Sequence, residues 1–118
     1  MDICIKDKEV LRGLMERRYS PILIDIICYV AHKYGFVMTE SYREKKHRND
    51  LHGTIPVRAN DLREWCYPAG FAKTIKDDIN AKWQYDPRRP KTKFCAKIHD
   101  VGNGIHFHIQ VHPRTRVR

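Results

Sequence analysis

Apolar positions recur with helical spacing through the first third of the chain. Val10, Leu11, Leu14 and Met15 do so within the charged stretch 8–18, which predicts a short first helix. Ser20-Pro21 then reads as an N-cap followed by proline in the first helical turn. Leu23, Ile26, Ile27, Val30 and Tyr34 fall on one face of the segment behind it. A helix over 21–34 is expected, stopped by Gly35 in a left-handed conformation. The apolar, partly β-branched run 36–39 predicts a strand, and the polar segment 44–54 an exposed loop. Residues 56–62 alternate small or apolar with polar side chains and predict a second strand. Phe71, Ile75, Ile79 and Trp83 recur at every fourth position, so a helix is expected over 68–83. Residues 85–90 read as a rigid basic loop.

The last third alternates with period two. Phe94, Ala96 and Ile98 interleave with Cys95, Lys97 and His99, and Ile105, Phe107, Ile109 and Val111 interleave with His106, His108, Gln110 and His112. Gly102-Asn103-Gly104 between them supplies residues tolerant of positive φ. A hairpin of 93–100 with 105–112 follows, apolar on one face and rich in histidine on the other.

Composition narrows the classes. A chain of 118 residues fits one domain, 1–118, and 42 % hydrophobic with 31 % charged residues is ordinary for a soluble globular protein. The longest apolar-rich run, 22–31, is broken by Asp25, so no membrane span is expected. The first ten residues lack a basic flank before an apolar core, which predicts cytoplasmic synthesis without a signal peptide. Cys4, Cys28, Cys66 and Cys95 contain no closely spaced pair, so free thiols are expected rather than a cysteine-based metal knuckle. The net charge of +9 predicts attraction to polyanions, either nucleic acid or an anionic bacterial wall. The basic clusters at 45–48, 88–89 and 114–118 read as solvated surface. Trp65, Tyr67 and Trp83 fit either a substrate groove or the core.

The histidine face carries the candidate chemistry. His106 and His108 point the same way about 7 Å apart, near enough to serve a common site. His52 ends the polar loop, and Asp61 follows nine residues later on a strand. Two imidazoles and a carboxylate are the donor set of a catalytic zinc, with one position left for water.

In order along the chain stand Ser41-Tyr42-Arg43, then His52 with Ala59-Asn60-Asp61, then His106-Phe107-His108. In this order the chain resembles the D-Ala-D-Ala carboxypeptidase and hedgehog-type zinc metallopeptidases, phage endolysins among them, over roughly 21–112. The resemblance implies an α+β fold: a small hedgehog-like domain whose antiparallel sheet carries helices on one face. It implies His52, Asp61 and His108 as ligands of Zn2+. Arg43 would bind the substrate carbonyl or carboxylate, and His106 would stabilise the transition state. Two features depart from the family. The His-to-Asp spacing is nine here against seven, which makes His47 a reserve ligand. The acid that relatives carry three residues before the last ligand is Ile105 here, so Asp100 or His99 is the expected general base.

The functional expectation is a zinc peptidase cutting an amide bond in peptidoglycan peptides. A phage lysin released to the wall through a separate pore would need no signal of its own. Two alternatives stand beside it: a domain that keeps zinc without catalysis, and a basic nucleic-acid-binding protein or metal nuclease. Oligomeric state is not legible.

Overall fold

The computed structural model describes residues 3–63, 67–68, 70–100 and 105–118, with backbone alone at 99, 100, 105 and 106. Strand β1 (Ile3–Ile5) leads into helices α1 (Lys8–Glu16) and α2 (Pro21–Lys33), and then into strand β2 (Phe36–Glu40). A single 3-10 turn (Leu51–Gly53) precedes strand β3 (Ala59–Arg63) and helix α3 (Phe71–Lys82). Strands β4 (Trp83–Gln84), β5 (Ala96–Asp100), β6 (Ile105–Gln110) and β7 (Arg116–Val117) complete the order.

Local chemistry sets most of these bounds. Asp7 caps α1 by accepting from the Val10 amide at 3.0 Å. Pro21 opens α2 in its first turn, and Gly35 beyond its end takes φ 73°. Gly70 at φ 78° precedes α3, a backbone that side chains other than glycine rarely adopt. Gly13 has a different purpose. A methyl group there would lie 2.6 Å from both Ser41 Oγ and the Tyr42 carbonyl, so the bare glycine lets α1 seat directly on the 41–42 segment.

The main sheet runs in the order β1-β2-β3-β6-β5, parallel only between β1 and β2. β4 and β7 form a separate antiparallel pair. Register sets Leu62 opposite Phe107, and Phe107 opposite Ile98. These residues, with Met38 and Ile109, join Leu23, Ile26 and Val30 of α2 and Ile75 and Ile79 of α3 in one buried cluster. Each fully buried large aliphatic side chain contributes roughly 1.5–3 kcal/mol. Period two sends the neighbouring residues of the same strands, Asp61 and His108, to the other face. One sheet therefore separates the core from the site. Its β5 edge is closed by α3, where Asn80 accepts from the Ala96 amide and donates to the Ala96 carbonyl, both at 2.9 Å.

The α+β class and the mostly antiparallel sheet match expectation, and the 93–100 with 105–112 pairing is present as β5 with β6. The glycine turn itself lies outside the described residues, as do Trp65 and Cys66. Several bounds differ. The helix expected from 68 begins at Phe71 and ends before Trp83, which starts a strand and packs in the core with Tyr67. The strand expected from 56 begins at Ala59, since Val57 instead bridges Tyr19. The basic tail is exposed at 114 and 116–118, as expected, and in addition pairs with β4 at 116–117. The loop 44–54 is not wholly exposed: Asp50 and His52 are buried within it. Cys4, Cys28 and Cys95 are free thiols.

Candidate metal centre

The loop before β3 is organised around Asp50. Its carboxylate accepts from the Lys46 amide at 3.0 Å and the His52 amide at 3.1 Å, and from the Arg43 guanidinium at 3.2 Å. Burial opposes its charge, but those backbone donors and Arg43 outweigh it and hold the carboxyl below its usual range. The Arg43 amide in turn donates to the His52 carbonyl at 3.3 Å. The buried acid thereby folds the polar segment back onto Ser41–Arg43, and His52 ends only 2 % exposed. No hydrophobic anchor is needed.

His52 is fixed further by its own ring. Nδ1 lies 2.8 Å from the Ser41 carbonyl, an atom that can only accept, so Nδ1 carries the proton. Nε2 of the neutral ring then has a lone pair, and it faces Asp61 Oδ1 at 3.4 Å. On β6, His108 stands directly opposite Asp61. Gln110 donates through Nε2 to the Phe94 carbonyl at 2.9 Å, which orients its amide and places Oε1 3.3 Å from His108 Nε2. His108 Nδ1 lies 2.7 Å from the same Asp61 Oδ1, a hydrogen bond that the carboxylate accepts.

Two imidazoles and a carboxylate thus converge. The ligand atoms of His52, Asp61 and His108 lie within 4.8 Å of one another, and the three can hold one metal ion. Donors of a tetrahedral site with bonds of about 2.1 Å are about 3.4 Å apart, close to the His52–Asp61 spacing. Burial raises the cost of the Asp61 charge, yet hydrogen bonding to His108 and His52 outweighs it and holds this carboxyl far below the ordinary range. The ring partners, Ser41 carbonyl and Gln110, are the kind of outer support that sets tautomer and orientation in metal sites.

The structure brings together all three residues expected as ligands. His47, the reserve ligand, is exposed and outside the cluster. Arg43 sits next to the His52 loop, salt-bridged to Glu40 and Asp50 at 3.2 Å each. Its Nε–H is buried with no hydrogen-bond partner among the described residues. The backbone pairs His106 with both His99 and Arg63, and Asp100 with Ile105, while the side chains of His99, Asp100 and His106 lie outside the described residues. His112 is not part of the centre: it packs against Tyr85, and its Nδ1 accepts from the Arg114 amide.

Sequence reasoning missed four contributors. Gln110 was signalled by its place two residues after His108, where strand parity gives it the same face. Asp50 had no such signal. Glu40 is paired across from Asp61 by the register of β2 with β3. Lys97 is paired across from His108. Desolvation and the charge of Lys93 push the Lys97 ammonium below its ordinary value, with Asp61 pulling the other way.

Among known proteins, no family model, no curated protein and no solved structure matches the chain. Among the described residues, no helix is long and apolar enough to cross a membrane.

Proposed function

We propose that the chain is a zinc-dependent peptidase that hydrolyses an amide bond in peptidoglycan peptides, with a hedgehog or D-Ala-D-Ala-peptidase-like fold. The observation that carries this reading is the convergence of the ligand atoms of His52, Asp61 and His108 within 4.8 Å of one another, on a loop and two neighbouring strands. The order Ser-Tyr-Arg, His, Ala-x-Asp and His-x-His along the chain supports it as well.

A zinc ion held there would polarise the scissile carbonyl and lower the pKa of its water to about 7. The remaining work falls to the chain. Arg43 supplies a guanidinium charge beside the His52 loop for a substrate carbonyl or carboxylate, steadied by Asp50 and Glu40 so that it loses little freedom on binding. Lys97, on the strand beside His108, adds a cation for a substrate carboxylate. His106 stabilises the developing oxyanion together with Arg43. Proton transfer falls to Asp100 or His99 at the end of β5, with Glu40 as a third acceptor beside Asp61.

The test is digestion of purified muropeptides by the zinc-loaded protein, followed by mass spectrometry. Cleavage that is lost on chelation, restored by zinc and absent in Asp61→Ala is the expected result. A protein that holds zinc and cleaves no muropeptide overturns the peptidase reading and leaves a metal-binding domain without that activity.

A further inference from the structure

On the opposite face of the sheet from the metal centre lies a cavity of about 330 Å³. Its wall includes Leu14 and Arg17, Leu23, Ile24, Ile27 and Cys28 of α2, and Met38 and Asn60 from the sheet. The volume is within the range of small-molecule sites, and the lining is apolar with few polar groups, as such sites usually are.

Two polar features make it more than a packing gap. Asn60 is 1 % exposed, and its Oδ1 is buried with no hydrogen-bond partner among the described residues. Its amide nitrogen donates only to the neighbouring Ala59 carbonyl at 3.1 Å. A buried acceptor left without a donor costs about 1–3 kcal/mol, so a leucine or valine would serve packing better. The second feature is Arg17, just beyond the end of α1. It is exposed, stacks over the Tyr42 ring at 4.7 Å, and has no acidic partner among the described residues. The lining therefore offers one buried hydrogen-bond acceptor and one cationic side chain. Exposed Ile24 continues the apolar lining outward.

We propose that this cavity is a binding site for a small amphipathic anion: an apolar, ring-sized body, a hydrogen-bond donor that meets Asn60 Oδ1, and a carboxylate that meets Arg17. The site is separate from the metal centre, since Asn60 and Asp61 are consecutive on β3 and face opposite sides of the sheet. Binding there does not depend on the peptidase reading, and it is measured without any assay of hydrolysis.

Indole-3-propionate is a suitable probe, because its ring N–H donates and cannot accept. Calorimetric titration is compared with 3-(1-naphthyl)propionate, which keeps body and carboxylate but has no donor, and with 3-methylindole, which has no carboxylate. Each missing group is expected to weaken binding by roughly tenfold. Arg17→Ala, a change at an exposed residue, should erase the preference for indole-3-propionate over 3-methylindole. Ile24→Trp should block the cavity and abolish binding while circular dichroism stays native. Cys28 lines the same cavity as an exposed thiol, so the bound probe should slow its alkylation by iodoacetamide in the wild type and not in Ile24→Trp. The proposal is overturned if indole-3-propionate does not bind, if it binds no better than the naphthyl analogue, or if Ile24→Trp binds it as the wild type does.

Discussion

At His108 the ring is supported by Gln110, whose own amide is oriented by the Phe94 carbonyl. At His52 the Ser41 carbonyl accepts from Nδ1 and aims Nε2 at Asp61. These partners hold both rings beside Asp61. Outer-shell partners of this kind change metal affinity by about 10–100-fold. Gln110→Ala should therefore weaken zinc binding by that order in competition with a chromogenic chelator. Gln110→Glu keeps an acceptor beside His108 Nε2 and should retain more of the affinity. Equal affinities for wild type and Gln110→Ala would mean that the ring is held by something else. His108 was legible because strand alternation and the resemblance agree there, and Asp61 because Ala59-Asn60-Asp61 fits the Ala-x-Asp step of the resemblance. Burial of His52 was not, because it follows from Asp50 gathering the loop amides, and a lone aspartate in a polar run carries no sign of which donors it will meet.

At the level of elements, amphipathic periodicity located α1, α2, α3 and the β5–β6 pair, since a single apolar face is enough to specify each. Charge patterning located an exposed basic tail at the C-terminus and gave no sign that Asp86 ties it down. That carboxylate is fully buried, accepts from Arg114 at 2.7 Å and 2.9 Å, from Arg89 at 3.0 Å and from the Arg88 amide at 3.0 Å, and so anchors the segment ending in β7. Arg114 is the main cause, against opposing desolvation, of a carboxyl held far below its ordinary range. A group depressed on folding contributes stability that is complete above its unfolded value of about 3.9 and is lost as pH falls through its folded value. Asp86→Asn should therefore be clearly less stable than wild type in urea at pH 7, and the gap should narrow as the pH falls below about 4. A gap that is constant with pH would show that the carboxylate charge is not what holds β7.

Across the whole molecule, the sheet assigns opposite duties to its two faces: Leu62, Phe107 and Ile109 meet the helices on one, and Asp61 and His108 meet the His52 loop on the other. Alternation along the strands made this division readable in the late hairpin. Strand order was not readable, because β1 pairs in parallel with β2 and β3 sits between β2 and β6, relations set by long-range packing rather than by local pattern. The net charge of +9 fits an anionic wall and also fits nucleic acid, and a DNA affinity that falls steeply with salt would favour the second. The His52, Asp61 and His108 cluster can hold a cation, and a ligand bound only by the folded state stabilises it by mass action. The most direct test is zinc stoichiometry by equilibrium dialysis and elemental analysis, run beside thermal unfolding with and without chelator. About one tightly bound zinc per chain, a melting temperature that drops on chelation, and loss of both effects in His108→Ala are the expected results. A wild-type protein that retains no zinc, or a His108→Ala variant that binds it as tightly, would contradict the metal centre.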